Sequence, residues 1–407
     1  MYGVQCTKRL WLHKYLPKER DVQSDGQTRI FQQGTDIGVL AQQLFPGGIN
    51  AEPENYYSYQ KSVADTERYF RNGHQIIYEA AFQFNGILCA VDLLIKTNHK
   101  WYAYEVKSTN SVKAAHIYDA ALQYYVITNS GIDLADFSII HLNKEYIRFG
   151  ALDIKQLFHP VSVLKEVNEL NAFVSSKSLE LLEVLSKNTP PQKEVGEHCM
   201  IPYPCDFQGF CNKGVFPMQT ISTENASADI DMSFVIKNLR FPVSFLSLDT
   251  WSSAVPQYDG HWPYKQVCYQ FSIHRQSAPF GPLDHYYFIE EDMNSQQKEF
   301  IESLLNFAGK EGSIVVHNSS FVKYHLQELK KNFPTLEKEI NSVQLRIIEL
   351  NPPFQKDFVL EEILEKELKQ EKHFKTFPVV HNQSILEHSS AAAAWFNLRN
   401  EVDKEKI

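Results

Sequence analysis

The chain contains 407 residues, of which 43% are hydrophobic and 22% are charged, and it carries a formal net charge of −9 at pH 7. This length favours two domains over one hydrophobic core, and the composition is typical of a soluble globular protein. The acidic balance argues against broad, nonspecific coating of nucleic acid but permits a local basic groove.

The start of the chain predicts neither export nor membrane insertion. Lys8 and Arg9 interrupt the only apolar stretch near the start, so the apolar segment of a signal peptide is missing. No window approaches the roughly 18 apolar residues that a membrane span needs. We therefore expect a cytoplasmic protein without a membrane partner, in which reducing conditions disfavour disulfides among the six cysteines.

Helices are predicted before and after a central group of strands. Apolar residues at helical spacing favour a helix over residues 27–46, which Pro46 and Gly47 close. A polar helix is expected over 59–72, and one or two helices are expected over 160–188.

Three strands rich in Ile, Val, Tyr, Phe and Trp are predicted over residues 75–84, 87–96 and 101–107. Asn85-Gly86 joins the first two strands, and this dipeptide is a strong hairpin signal because both residues tolerate positive φ. A helix over 111–129 and a fourth strand ending near residue 143 follow.

Charged residues on the second and third strands predict a metal site. Glu105 and Lys107 are two residues apart, so the pleat places both side chains on one face. Asp92 lies among apolar residues, where an ionised carboxylate is costly unless a divalent cation such as Mg²⁺ compensates it. The cation would polarise a scissile phosphate and lower the pKa of an attacking water, while Lys107 would orient that water or offset charge on the phosphate.

The alternative for Glu105 and Lys107 is a surface ion pair, because Glu-x-Lys also occurs at 328–330 and 367–369, in predicted solvated helices. The strand context, Asp92 one strand earlier, and Gln123 on the following helix favour catalysis over this alternative.

Four of the six cysteines predict a second metal site. Zinc prefers closer Cys-x₂₋₄-Cys pairs than this chain has, whereas four thiolates could also hold a [4Fe–4S] cluster, and the spacing alone does not decide. Cys89 and Cys268 lie within apolar strands and are expected to be core residues. The four candidate ligands are Cys6 and, at intervals of five intervening residues, Cys199, Cys205 and Cys211.

Asp92, Glu105-Val106-Lys107 and Gln123-Tyr124 resemble the motifs of the PD-(D/E)XK nucleases, in particular the RecB-like branch that includes the iron–sulfur CRISPR adaptation nucleases. The resemblance implies an α/β fold with a restriction-endonuclease-like αβββαβ core and helical additions. It also implies that Asp92, Glu105 and the Val106 carbonyl bind Mg²⁺ or Mn²⁺, and that Gln123 completes the site.

The same branch often adds an upstream His or Glu, for which Glu79 is the best candidate; an edge-strand charge is the alternative. The branch usually has Gln-x-x-x-Tyr, whereas here the tyrosines follow Gln123 directly and Ile127 holds the distant position. Its members have one Cys before the core and three after it, which implies that Cys6 and the three later cysteines hold a cluster joining the domain ends. The gap between Cys199 and Cys205 is longer than usual, and zinc remains the alternative.

Small polar residues without periodicity predict a linker over 217–239, between a nuclease domain at 1–216 and a second domain at 240–407. In the second domain, strands are predicted at 243–249, 266–274, 284–290 and 313–317, and helices at 295–308 and from 319. This order of elements is that of a ribonuclease H-like fold.

Three blocks of the second domain, FPVSFLSLDT, IVVHNSSF and HNQSILEHSSAAAAWFNL, resemble a DnaQ-like (DEDD) 3′–5′ exonuclease domain. The chain from Cys6 to about residue 398 resembles a bacterial family that fuses such a domain behind an iron–sulfur RecB-like nuclease. DEDD chemistry needs four acids for two metals, but the first block offers only Asp249, and Val322 follows Phe321 where an acid is expected. We therefore expect a degenerate exonuclease domain, with Asp249 as a structural turn residue in the alternative interpretation.

The third block has Ser389 and Ser390 near its expected acid, with only Glu387 and His388 close by. Taken together, these patterns and the resemblance imply a metal-dependent DNA nuclease with a structural [4Fe–4S] cluster, acting on single-stranded DNA or DNA ends, with protein partners in DNA repair or defence. The alternatives are a non-catalytic DNA-binding or processing-complex subunit and an RNA-directed nuclease.

Overall fold

The computed structural model of the chain describes residues 2–22, 25–55, 58–213, 239–279, 281–290 and 297–349. The chain divides into two compact units. The first comprises Met1–Glu224 and Ser253–Lys265, and the second comprises Asn225–Ser252 and Gln266–Ile407. No helix within the described ranges is long and apolar enough to cross a bilayer.

A six-stranded mixed sheet lies at the centre of the first unit, in the order β1-β2-β3-β4-β5-β6. Strand β3 is antiparallel to both β2 and β4, and β6 is antiparallel to β5. β1 pairs parallel with β2, and β5 pairs parallel with β4. The strands are β1 Ile49–Asn50, β2 Ile76–Phe84, β3 Ile87–Thr97, β4 Lys100–Lys107, β5 Leu134–Leu142 and β6 Phe158–Ser162.

Helices precede, connect and follow these strands. They are α1 Tyr2–Gln5, α2 Thr7–Tyr15, α3 Asp25–Ala41, α4 Tyr59–Arg71, α5 Ala114–Asn129, α6 Ile154–Leu157, α7 Leu164–Ser186 and α8 Gln208–Asn212. Short 3₁₀ turns occupy Pro17–Glu19, Gln42–Leu44 and Glu197–Cys199. The predicted helix over 111–129 begins three residues later, at Ala114, because residues 108–113 form the connection from β4.

The predicted hairpin between β2 and β3 is confirmed. Phe84 pairs with Ile87, so the connection is the two residues Asn85 and Gly86. Their φ angles are 47° and 76°, which is the positive-φ pair that a type I′ turn requires.

Two apolar clusters cover the two faces of this sheet. The α5-side cluster contains residues of β2, β3 and β4 together with Ala120 and Val126 of α5. The α3-side cluster contains residues of the same strands, including Val106, together with Ile37 and Ala41 of α3. The sheet is therefore buried on both sides.

A five-stranded mixed sheet forms the second unit, in the order β11-β10-β7-β8-β9. Its strands are β7 Val243–Trp251, β8 Val267–Gln276, β9 Leu283–Ile289, β10 Ser313–Val316 and β11 Ile347–Glu349. Its helices are α9 Lys298–Ala308, α10 Ser319–Asn332 and α11 Glu337–Leu345. β10 is parallel to β7 and β11, whereas β8 is antiparallel to β7 and β9.

The prediction of an α/β protein is thus confirmed at the level of two mixed sheets with helices. Every strand predicted from the sequence is present within a few residues of its expected place. The predicted linker at 217–239 lies outside the described residues except for residue 239, as does the third exonuclease-like block.

Candidate active site and cysteine pocket

Three carboxylates occupy one row across β2, β3 and β4. The register of β2 and β3 passes from Tyr78–Leu93 to Ala80–Val91, which puts Glu79 opposite Asp92. On the other side of β3, Leu93 pairs with Tyr104, so the next position puts Asp92 opposite Glu105. Strand register alone therefore brings the three predicted acids side by side.

Glu105 points toward α5, because it lies two residues after Ala103 of the α5-side cluster and accepts a hydrogen bond from Gln123. The side-chain alternation of β3 shifts at Asp92, since Val91 and Leu94, three residues apart, both belong to that cluster. Asp92 nevertheless lies close to Glu105, because its Oδ2 accepts a hydrogen bond from the N–H of Val106, the residue after Glu105.

The strands are distorted at this row. Glu79 has a φ of 53°, in the left-handed region that a residue with a Cβ rarely adopts. The side-chain alternation shifts there, since Ile77 and Ala80, three residues apart, both join the α5-side cluster. Such outliers concentrate at functional sites, where the surrounding structure holds them.

Hydrogen bonds tie the acid row to the residues around it. The Val106 backbone N–H donates to Asp92 Oδ2, which links β3 to β4. Gln123 Nε2 of α5 donates to Glu105 Oε2 at 2.9 Å, and both residues are 7% exposed. Lys107 Nζ donates to Glu105 Oε1 at 2.7 Å. The predicted residues of the two strands and the helix therefore form one connected site.

Asp119 is a site residue that the sequence analysis missed. Lys107 Nζ also donates to its Oδ2, at 2.6 Å, so the ammonium lies between two carboxylates. Asp119 is one helical turn before Gln123, which places both side chains on the same face of α5. This i, i+4 spacing was visible in the sequence and would have identified Asp119.

His116 extends the same face of α5 by nearly one turn. It is buried, and its Nδ1 accepts a hydrogen bond of 3.2 Å from the Lys113 backbone N–H at the start of the helix. Burial, together with the charge of Lys107, lowers the pKa of His116 to about 4. The imidazole is therefore neutral at pH 7.

Burial and mutual repulsion raise the pKa values of the three acids in the row. Burial, followed by the charges of Glu105 and Glu52, raises the pKa of Glu79 to about 7. Burial and the charges of Glu105 and Glu79 raise the pKa of Asp92 well above its usual range. Burial also raises the pKa of Glu105, although Lys107 opposes the shift. A row of this kind stabilises any cation that enters it.

The donor set fits a hard divalent cation. Carboxylates and a backbone carbonyl are ligands that Mg²⁺ and Mn²⁺ accept. Gln123 Oε1 is buried and has no hydrogen-bond partner within the described part of the chain, which leaves an acceptor for a water or a metal-bound water. No three His, Cys, Asp or Glu side chains in the described ranges are gathered closely enough to hold a metal ion by themselves.

The tyrosines after Gln123 have a different environment. Tyr125 is 8% exposed and packs edge-on against Phe84 in the α5-side cluster. Tyr124 packs against the same cluster, and Ile127 is fully buried in it. The structure gives these residues a packing role.

The four predicted cysteines line one pocket in the first unit. Cys6 precedes α2, Cys199 and Cys205 lie in the loop after α7, and Cys211 lies in α8. Burial raises the pKa of the Cys205 and Cys211 thiols, while the nearby Arg9 and Lys8 oppose these shifts.

Polar contacts hold the two segments that contribute these cysteines. Arg9 Nε donates to Asp206 Oδ1 at 2.8 Å, and Arg20 Nε lies 3.0 Å from Asp206 Oδ2. Gln5 Nε2 donates to the His198 carbonyl at 2.8 Å and to the Tyr203 carbonyl at 2.7 Å. Residues at the start of the chain are thus fixed against residues nearly 200 positions later.

The remaining two cysteines are core residues, as predicted. Cys89 in β3 and Cys268 in β8 are 8% and 2% exposed and belong to the apolar clusters of their units. Because Cys89 and Cys268 do not line the cysteine pocket, their substitution serves as a control for substitution of the four cysteines that do.

The exonuclease-like blocks of the second unit supply few acids. Asp249 pairs with Gln270 in the β7–β8 ladder, next to an irregularity in the register. Val322 is buried in α10, in the position where the motif expects an acid. The sequence analysis did not single out Glu349 of β11, whose Oε2 accepts a hydrogen bond from Ser319 Oγ.

Comparison with known proteins assigns no activity. A family model described as a domain of unknown function, DUF2779, matches residues 244–369, which is less than half of the chain. The match covers β7 to β11 and also the segment Ser253–Lys265 of the first unit. No curated protein matches the chain.

Proposed function

We propose that this protein is a cytoplasmic, Mg²⁺- or Mn²⁺-dependent nuclease that hydrolyses phosphodiester bonds in DNA. The observation that carries the proposal is the row of Glu79, Asp92 and Glu105 with Lys107 beside it. The αβββαβ order of α3, β2, β3, β4, α5 and β5, with β1 and α4 inserted between α3 and β2, and the motifs on it support a RecB-like PD-(D/E)XK nuclease.

Asp92, Glu105 and the Val106 carbonyl would hold the cation, with Glu79 next to them in the row. The bound cation would polarise the scissile phosphate and lower the pKa of an attacking water. The raised pKa values of Glu79, Asp92 and Glu105 support this assignment, because a divalent charge offsets the repulsion that burial strengthens.

Lys107 supplies positive charge beside the reacting phosphate. Burial alone would lower its pKa, but Glu105 and Asp119 raise it, so the ammonium stays protonated. It can orient a water or stabilise charge that develops on the phosphate. Gln123 fixes one oxygen of Glu105 and leaves Oε1 to Lys107.

The four pocket cysteines would hold a [4Fe–4S] cluster, with zinc as the alternative metal. Such a cluster is structural in our proposal, because hydrolysis transfers no electron. It would add covalent links between the same two segments that Arg9 and Asp206 already join.

The second unit is proposed to be a degenerate DnaQ-like domain that contacts DNA or a partner. Its observed order of three strands, helix, strand and helix supports a ribonuclease H-like assignment. The positions of Asp249 and the buried Val322 support the loss of its two-metal chemistry.

Cleavage of a substrate panel tests the proposal. The full chain is incubated with labelled single-stranded DNA, duplex DNA or RNA, in Mg²⁺, Mn²⁺ or EDTA. We expect metal-dependent cleavage of DNA by the wild type and at least a 100-fold loss in Asp92→Asn, because a metal ligand is removed. Asp136→Asn is the matched control, since this β5 carboxylate is bound by the hydroxyls of Ser138 and Ser162.

Equal cleavage by the wild type and Asp92→Asn would refute the assignment of the site. Binding of DNA without cleavage under any condition would favour a non-catalytic subunit. Preferential cleavage of RNA would change the substrate class and leave the site assignment in place.

A further inference from the structure

A segment that follows β7 of the second unit belongs to the first unit. The chain leaves the second unit after Ser252 and returns to it at Gln266, and Ser253–Lys265 packs with the first unit. Ala254 in this segment is fully buried in the α3-side cluster, which also contains Val106. The core beneath the candidate active site is thus completed by residues distant in sequence.

Backbone hydrogen bonds fix this segment firmly. The Arg148 N–H donates to the His261 carbonyl at 2.9 Å, and the Gly260 N–H donates to the Arg148 carbonyl at 2.8 Å. Arg148 Nη1 also donates to the carbonyls of Pro256 and Gln257, at 3.0 and 2.9 Å. These four hydrogen bonds between Arg148 and residues 256–261 hold the segment against the first unit.

Tyr264 is the residue of this segment that reaches the active-site strand. Its hydroxyl donates a hydrogen bond to the Ser108 carbonyl, and its ring packs against the α3-side cluster. Its own N–H donates to the Ser253 carbonyl at 2.8 Å, and its φ is 63°. A non-glycine residue in the left-handed region shows that the surrounding contacts determine its conformation.

Ser108 follows Lys107 directly, at the end of β4. The connection to α5 begins there, and its next residue is held separately, because the Leu142 N–H donates to the Thr109 carbonyl at 2.8 Å. Loss of the Tyr264 hydroxyl would leave the Ser108 carbonyl without this donor. The end of β4, and with it the Lys107 side chain, would then have more freedom.

We propose that Tyr264 is a positioning residue for the nuclease site, which acts by holding the Ser108 carbonyl and so fixing Lys107 between Glu105 and Asp119. This inference rests on the proposed function for its catalytic consequence. It also means that the nuclease site depends on residues inside the stretch matched by the family of unknown function.

Tyr264→Phe tests the inference in the full chain, because it removes the hydroxyl and keeps the ring. Tyr146→Phe is the matched control: Tyr146 lies in the same apolar cluster, and its hydroxyl accepts a hydrogen bond of 3.0 Å from the Asp153 N–H, away from Ser108. Two readouts are needed, DNA cleavage and amide hydrogen exchange over residues 105–113.

We expect Tyr264→Phe to lower kcat by roughly 10-fold while KM for DNA changes less than about 2-fold, because misplacement of a catalytic group affects the transition state. Amide exchange over 105–113 should be faster in Tyr264→Phe and unchanged in Tyr146→Phe. The melting temperatures of the two variants should agree, which separates positioning from a general loss of stability.

Wild-type kcat and wild-type exchange in Tyr264→Phe would overturn the inference. So would an equal effect of Tyr146→Phe on both readouts. If the wild type does not cleave DNA, the proposed function fails, and the exchange measurement by itself then decides whether Tyr264 holds the end of β4.

Discussion

Asp92 accepts a hydrogen bond from the backbone N–H of Val106, the residue between Glu105 and Lys107. This bond joins the two strands at the point where their carboxylates lie side by side. It orients Asp92 toward the strand that carries the other predicted ligands.

Lys107→Met should destabilise the protein by about 1 to 3 kcal/mol at pH 8, because Glu105 and Asp119 lose their shared counter-charge. The loss should be smaller at lower pH, because burial raises the pKa of Glu105 and so favours its neutral form as the pH falls. Urea denaturation of the apo protein measures both values. Lys165→Met is the control, since its pair with Glu169 on α7 is exposed at both side chains and should contribute little.

Glu79→Gln should change how stability depends on pH. Folding raises the pKa of Glu79 from its ordinary value of 4.5 to about 7, so the folded protein binds this proton more tightly than the unfolded chain does. Its contribution to stability is therefore fully present below pH 4.5 and is lost as pH rises to about 7.

The Glu79→Gln variant cannot ionise at this position, so its stability does not fall as the pH rises through about 7. In EDTA it should match the wild type near pH 4.5 and exceed it at pH 8 by about 1 to 3 kcal/mol. Glu67→Gln, on the exposed surface of α4, is the control. A wild-type pH dependence that persists in Glu79→Gln would show that another group titrates.

Substitution of each pocket cysteine by Ser should remove iron, inorganic sulfide and visible absorption from anaerobically purified protein. Cys89→Ser and Cys268→Ser leave the pocket intact and should retain all three. Zinc without sulfide in the wild type would establish the alternative metal. If the wild type is purified without metal and is no less stable than it is after metal is added, a metal site at these cysteines is contradicted.

Asp249→Ala should leave nuclease activity unchanged. The test uses the full chain, because Ser253–Lys265 packs with the first unit and would be misplaced in an isolated second unit. Manganese-dependent degradation of single-stranded DNA that survives Asp92→Asn and disappears on adding Asp249→Ala would show that the second unit is itself an exonuclease.

The sequence was sufficient to predict β2–β5, β7–β10 and the Asn85-Gly86 hairpin, and to select the three acids, because these follow from short-range patterns. It did not predict the short edge strands β1, β6 and β11, and β6 overlaps the start of the stretch 160–188 that was expected to be helical. A two-residue turn fixes the β2–β3 register, and register fixes which side chains are neighbours. Asp119 could also have been found from its helical spacing to Gln123.

Other features could not have been predicted from local patterns. Tyr264 and Ser108 are 156 residues apart, and nothing near Tyr264 marks it as part of the first unit. The left-handed φ of Glu79 also follows from the fold around it, because Glu has no intrinsic preference for that conformation.

Binding of Mn²⁺ to the apo protein tests the central claim most directly. Titration calorimetry of the wild type, Asp92→Asn and Asp136→Asn at pH 8 compares the acid row with a carboxylate elsewhere in the same sheet. We predict that Mn²⁺ binds the wild type and Asp136→Asn and that this binding is lost in Asp92→Asn. Equal Mn²⁺ binding by all three proteins would contradict a divalent-cation site at Asp92 and Glu105.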